Sequence, residues 1–282
     1  MNTLIAGTRA ELQRLRTWPT MWVPLASWIV LNFVFLYVFN YITFRTGGTT
    51  GLSSTAPAEV LLDQMLPGVV PSVFTQGMAM FGGALMLILG ALTFGSGYGW
   101  DTWKTAFTQG PSRIAVVGAT LTVLGAVVLV LLVVVCVIDL GVAALIAGVE
   151  SRSAALPDLG SLLQSARRRC IDSGDRTSAG ALIGAVARGP ALSVGLGLVW
   201  VLVVENLLRG VGAVLEPMTL VTDWLPGTAA GSLAGALRGG AAGDATPGVV
   251  DILSGPTAAW VLAGYILVFT AGTVWWMRRQ EV

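Results

Sequence analysis

The chain has 282 residues, of which 55% are hydrophobic and 11% charged, with no histidine and a net charge of +1. Ordinary soluble domains carry about 25% charged residues, so a chain this apolar cannot cover a water-facing surface and reads as all-α, a polytopic helical membrane protein. The near-neutral balance exerts no strong pull on nucleic acid; with no histidine and no cysteine pair at metal spacing a zinc enzyme is not expected, and no cofactor is expected.

Residues 1–20 interleave Leu4, Ile5, Leu12, Leu15 and Trp18 with Arg9, Glu11, Arg14 and Arg16. That pattern predicts an amphipathic helix lying at the membrane surface; the plain alternative is an unstructured tail. Arginines outnumber glutamate ahead of the first span, which puts the N-terminus inside. Glu11, Arg14 and Arg16 suit either contact with a partner or interfacial anchoring by snorkelling side chains. No cleavable signal peptide is expected, because the first apolar run begins only near Met21 and is too long for one.

The run 21–43 predicts the first span, with Pro24 tolerated near its start. An outside loop follows over 45–76, whose apolar tail, Leu61 to Phe74, suits the interface. The second span, 77–98, contains Gly82, Gly83, Gly90, Gly95 and Gly97. Small residues let membrane helices approach closely, although in a chain with 36 glycines they are equally background.

Residues 99–113, GWDTWKTAFTQGPSR, form a short inner connection. Trp100 and Trp103 suit the headgroup belt. Asp101 can cap the following turn, Lys104 and Arg113 can pair with acidic partner residues or lipid phosphate, and Gly110-Pro111 breaks any helix. The plain alternative is a loop with aromatic anchors.

A third span starts near Ile114 and runs apolar to Ile138, followed by Asp139 and the uncharged stretch 140–149. As one helix this would be roughly 54 Å long, too long for an ordinary span and short for two. Asp139 is expected to mark the exit from the hydrocarbon. Cys136 lies in this apolar run and Cys170 among arginines, so no disulfide framework is expected.

Region 150–176 carries Arg152, Arg167, Arg168, Arg169 and Arg176 with Glu150, Asp158, Asp172 and Asp175. It is expected to be polar and irregular, since no plausible bilayer helix lies wholly inside it. Thr177 to Ala187 is weakly apolar, and Arg188 sits at the inner mouth of a further span over 190–208. Glu205 in that span either lines a path or pairs with Arg209 one turn on. The outer segment 210–256 is rich in Gly and Ala, with Arg238 against Glu216, Asp223, Asp244 and Asp251. The last span, 257–277, stops at Arg278-Arg279, which hold the C-terminus inside. With both termini inside the number of crossings is even, and six results if one weak return passes between Leu140 and Ala187.

Three stretches carry a resemblance: ELQRLRTWPT (Glu11–Thr20), GYGWDTWKTAFTQGPSR (Gly97–Arg113), and ARGPALSVGLGLVWVLVVENLL (Ala187–Leu208) with the outer Leu225-Pro226. They resemble the six-span permease subunits of ABC-2 type ABC transporters, chiefly those of high-GC Gram-positive bacteria. The resemblance implies a cytoplasmic connector helix over 1–20, a transmembrane permease domain over 21–282 and a coupling segment over 97–113. It implies the membrane-spanning subunit of an ATP-driven exporter of a small or amphipathic solute in the bacterial plasma membrane, with both termini cytoplasmic. Its partners would be cytoplasmic ABC ATPase subunits, a second permease subunit (identical or a paralogue) and membrane lipid. Coupling to the ATPase would fall to Glu11, Arg14, Arg16, Trp100, Asp101, Trp103, Lys104 and Arg113. The chain has no GxxxxGK[ST] loop and is not expected to hydrolyse ATP. Serine and aspartate without histidine make a poor triad, so no catalytic residues are expected.

One stretch departs from the family. The fourth span would fall near 160–187, where the first half of SLLQSARRRCIDSGDRTSAGALIGAVA is too polar. Either that helix is partly lost and degenerate, or the stretch is an altered reading. The alternative function is a non-transporting polytopic membrane protein acting in assembly, immunity or partner binding.

Overall fold

The computed structural model describes residues 2–47, 58–72, 81–108, 111–212, 219, 221–236, 250 and 252–280. Every regular element among them is a helix. The start of the expected second span (77–80), Gly110, Glu216, Arg238, Asp244 and Asp251 lie outside the described residues.

The surface-type helix α1 spans Asn2–Thr17. Trp18 is extended, as a residue before proline prefers, and Pro19 opens α2 (Pro19–Arg45) at the one helical turn where its missing N–H costs nothing. A short α3 (Ala58–Asp63) and a tight turn at Pro67–Val69 follow. Next come α4 (Gly83–Gly99) and α5 (Thr102–Thr108), bent from each other by 74°. The long α6 (Arg113–Val149) is capped by Ser112, whose hydroxyl accepts from the Ala115 N–H. Asp158 caps α7 (Leu159–Ala187) in the same way through Ser161. Arg188, in the left-handed conformation (φ 55°), ends α7. Pro190 then opens α8 (Pro190–Gly212). The described chain closes with α9 (Pro226–Gly235) and α10 (Gly255–Arg279).

Among the described residues four helices, α2, α6, α8 and α10, are long and apolar enough to cross a membrane, and the bent pair α4–α5 makes a fifth if taken as one span. The protein is an all-α polytopic membrane protein. The unbroken α6 absorbs both the expected third span and its extension; its 37 residues reach roughly 56 Å.

The region expected to be irregular differs. From Leu159 onward it is helical and continuous with the stretch up to Ala187. The reason lies in which side of α7 is polar. Arg169, Asp172, Asp175 and Arg176 are buried, while Leu159 and Leu163 are 69% and 62% exposed. The stripe of Arg169, Asp172, Asp175 and Arg176 faces the protein while Leu159 and Leu163 face outward, the inverse of a water-soluble helix.

Against α7 lies α4, in contact backbone to backbone. A Cβ added at Gly90 would sit 2.1 Å from the Thr177 carbonyl, and one added at Gly180 would sit 2.1 Å from the Leu87 carbonyl. Close approach of this kind is how membrane helices gain packing where lipid supplies no hydrophobic drive. The main core packs around this seam and includes Trp28, Met86, Leu89, Phe94, Leu131 and Ala181. The outer segment also turns inward, with Ala229 and Leu233 of α9 packed on Ala258 and Leu262 of α10.

The bundle has two distinguishable ends. At one, Arg45 pairs with Glu150 at 2.8 Å and Arg152 with Glu59 at 2.5 Å. At the other, Tyr98 donates to Gln280 Oε1 at 2.5 Å, Arg113 donates to the Gln280 carbonyl, and Gln280 Nε2 donates to the Ala185 carbonyl at 3.4 Å. Thus α6 runs from the terminal end to the far end, and α7 runs back.

Candidate functional site

At the terminal end the chain makes an elbow between α4 and α5. Asp101 adopts a left-handed φ of 51° at the corner. Its carbonyl accepts from the Thr105 N–H at 3.1 Å, so it starts α5 through its backbone. Trp103 then folds back beneath the elbow. Its Nε1 donates to the Phe94 carbonyl at 3.0 Å, and its ring stacks on Phe94 and Phe107 at centroid distances of 5.5 and 5.7 Å. Gly97 makes this possible, since a Cβ there would stand 2.2 Å from Trp103 Nε1.

The first helix is clamped to the same end. Glu11 pairs with Arg14 at 2.5 Å and accepts from the Thr120 hydroxyl of α6 at 3.2 Å. Burial pushes the Glu11 carboxyl above its ordinary range, against the opposing pull of Arg14. The Arg14 guanidinium lies 5.9 Å from the centroids of both the Trp18 and Trp103 rings, a cation–π arrangement. Arg113 covers the Phe107 ring at 5.2 Å.

The eight residues expected to couple to a partner therefore divide. Glu11, Arg14, Trp103 and Arg113 hold the end of the bundle together. Trp100, 76% exposed, points away from it with Asp101, Lys104 and Arg16.

A second set of polar side chains lies deep between the helices. Arg176 Nη1 is 3.6 Å from Glu205 Oε1, and its Nε is 3.9 Å from both Asp172 and Asp175. Trp200 Nε1 donates to the same Glu205 oxygen at 3.2 Å. The i+4 pairing of Glu205 with Arg209 is not the one formed: Arg209 Nε donates to the Glu205 backbone carbonyl at 3.3 Å, and Arg176 takes the carboxylate. On α9, Gly227 abuts the other Glu205 oxygen, where a Cβ would stand 1.8 Å away.

Two turns earlier on the same face of α7, Arg169 lies 5.3 Å over the Trp28 ring of α2, within electrostatic reach of Asp139. Asp139, expected to mark the exit from the hydrocarbon, faces the interior of the bundle. It is buried and accepts from Asn32 Nδ2 at 2.7 Å, and its carbonyl accepts from the Tyr37 hydroxyl at 3.3 Å. Tyr37 and Trp200 each sit in a π-helical turn, Val34–Val38 in α2 and Val199–Val204 in α8. Such turns shift helical register and recur where a helix must re-aim a side chain.

Sequence reasoning missed Asn32, Asp139, Arg169, Asp172, Asp175 and Arg176 as one network. The signal was present in the spacing of Arg169, Asp172 and Arg176, which fall at i, i+3 and i+7 on one helical stripe. A scan of the chain against protein-family models found no match, and a search of curated proteins found none.

Proposed function

We propose that this protein is the membrane-spanning subunit of an ABC-2 type exporter, moving a small or amphipathic solute with energy from separate cytoplasmic ATPase subunits. The observation that supports this reading most is the elbow. A short helix, α5, stands at 74° to α4; the corner before it exposes Trp100 and Asp101, α5 exposes Lys104, and Trp103 anchors its underside. A load on α5 passes through Trp103 to Phe94 of α4, and α4 meets α7 along the glycine seam. The handle is thus tied to the central helix by contacts stiff enough to carry motion.

In this reading α2, α4, α6, α7, α8 and α10 are six crossings of the bacterial plasma membrane. The terminal end, with the elbow, is cytoplasmic. A second permease subunit, identical or a paralogue, completes the path, and the buried charges let polar α7 serve as a crossing.

The test is purification of the tagged chain from its own membranes, identification of any ABC ATPase that comes with it, and measurement of ATPase stimulation by the chain. Lys104→Glu and Trp100→Ala each weaken ATPase binding about tenfold, as expected for an aromatic and a charged anchor, and leave the subunit folded. Binding and stimulation equal to wild type in both variants contradict the handle. Isolation with a partner that is not an ATPase favours a role in assembly or immunity.

A further inference from the structure

Helix α7 carries four arginines, Arg167, Arg168, Arg169 and Arg176, and two have acidic neighbours within the bundle: Arg169 near Asp139 and Arg176 beside Glu205. The other two, Arg167 and Arg168, face a different way. They line a cleft of about 230 Å³ between α7, α9 and the start of α10, closed by Ile171, Leu233, Ala259 and Trp260. Among the described residues no carboxylate lines it. Arg168 makes one long hydrogen bond, to the Leu233 carbonyl at 3.5 Å.

We infer that this cleft binds the headgroup of an anionic phospholipid. Charge selects the head: two guanidiniums line one cleft in which no carboxylate among the described residues answers them, and guanidinium recognises phosphate oxygens through paired N–H donors. The N-terminus of α10 opens onto the same cleft at Gly255 and Pro256, adding the positive end of its dipole.

Surroundings select a lipid over a soluble anion. The wall is mostly apolar, and the surface beyond it exposes large apolar side chains. Trp260 is 78% exposed there, with Leu163 of α7 and Leu267 of α10 also bare. The arginines lie roughly 13 Å along the α7 axis from Leu159 at about 1.5 Å per residue. A place near the far end of the bundle suits an interfacial headgroup with its chains running along α10, and Trp260 suits the same layer. The leaflet is the one at the far end, away from the chain termini. The inference rests on the membrane fold and is independent of any ATPase.

The experiment uses the full chain in detergent, incubated with phosphatidylglycerol, phosphatidylcholine or inorganic phosphate, and reads retained lipid by native mass spectrometry and thermal unfolding. Wild type retains phosphatidylglycerol in preference to phosphatidylcholine. The Arg167→Gln/Arg168→Gln double variant retains it about tenfold less, the worth of a charge-assisted contact. Arg152→Gln, which alters an exposed arginine at the same end, behaves as wild type. Ala263→Phe fills the cleft while keeping both arginines and gives the same loss, which guards against a folding defect in the double variant. Undiminished retention in both the double variant and Ala263→Phe overturns the inference. So does equal retention of the two lipids by wild type, or stabilisation by inorganic phosphate equal to that by phosphatidylglycerol.

Discussion

Arg176 is the residue on which the buried network turns. Its guanidinium meets Glu205 at 3.6 Å and Asp172 and Asp175 at 3.9 Å, all within the bundle. Removing one member of a buried pair leaves a charge without compensation and costs about 3–5 kcal/mol. The two sides of the pair are unequal. Arg176→Met strands three carboxylates, whereas Glu205→Gln leaves the arginine two acidic neighbours and costs about 1–3 kcal/mol. Unfolding in detergent is therefore expected to show Arg176→Met well below Glu205→Gln, with the double variant less destabilised than the sum of the two. Equal effects that simply add contradict the network. At the elbow, Trp103 is buried beneath α5. Its replacement acts on folding of the elbow, whereas in the proposed function contact with the ATPase falls to Trp100 and Lys104.

At the scale of elements, the contact between α4 and α7 depends on side chains that are absent. Gly180→Leu drives a side chain into the Leu87 backbone and is expected to cost about 1–3 kcal/mol or separate the helices. Gly264→Leu on α10, where nothing lies within 4 Å, leaves thermal unfolding unchanged. Loss of stability from both, or from neither, contradicts a specific seam. Which elements were legible follows from the same physics. Helices α2, α6, α8 and α10 announce themselves as uninterrupted apolar runs. The polar α7 does not, because a hydropathy reading counts its charges without knowing that Arg169 and Arg176 face inward, toward Asp139 and Glu205. Only the helical period of Arg169, Asp172 and Arg176 carried that information. Nor was α9 legible, since its Gly–Ala composition has little hydropathy and its burial comes from contact with α10. Of the candidate site, Glu205 stood out as a carboxylate in an apolar run, but its partner lies on another helix and required the fold.

For the whole molecule, the arrangement of ends decides the topology. Residues 98, 113, 185 and 280 meet at one end, and residues 45, 59, 150 and 152 at the other. If the bundle sits in the bilayer as one body, α7 passes through it, with Arg169 and Arg176 internal and Arg167 and Arg168 toward the far end. The most direct measurement is labelling of single cysteines by a membrane-impermeant maleimide in a background lacking Cys136 and Cys170, with Ala155→Cys before α7 and Arg188→Cys after it. Ala155→Cys is expected to label in intact cells, and Arg188→Cys only after permeabilisation. Labelling of both positions from the same side contradicts a bilayer crossing by α7.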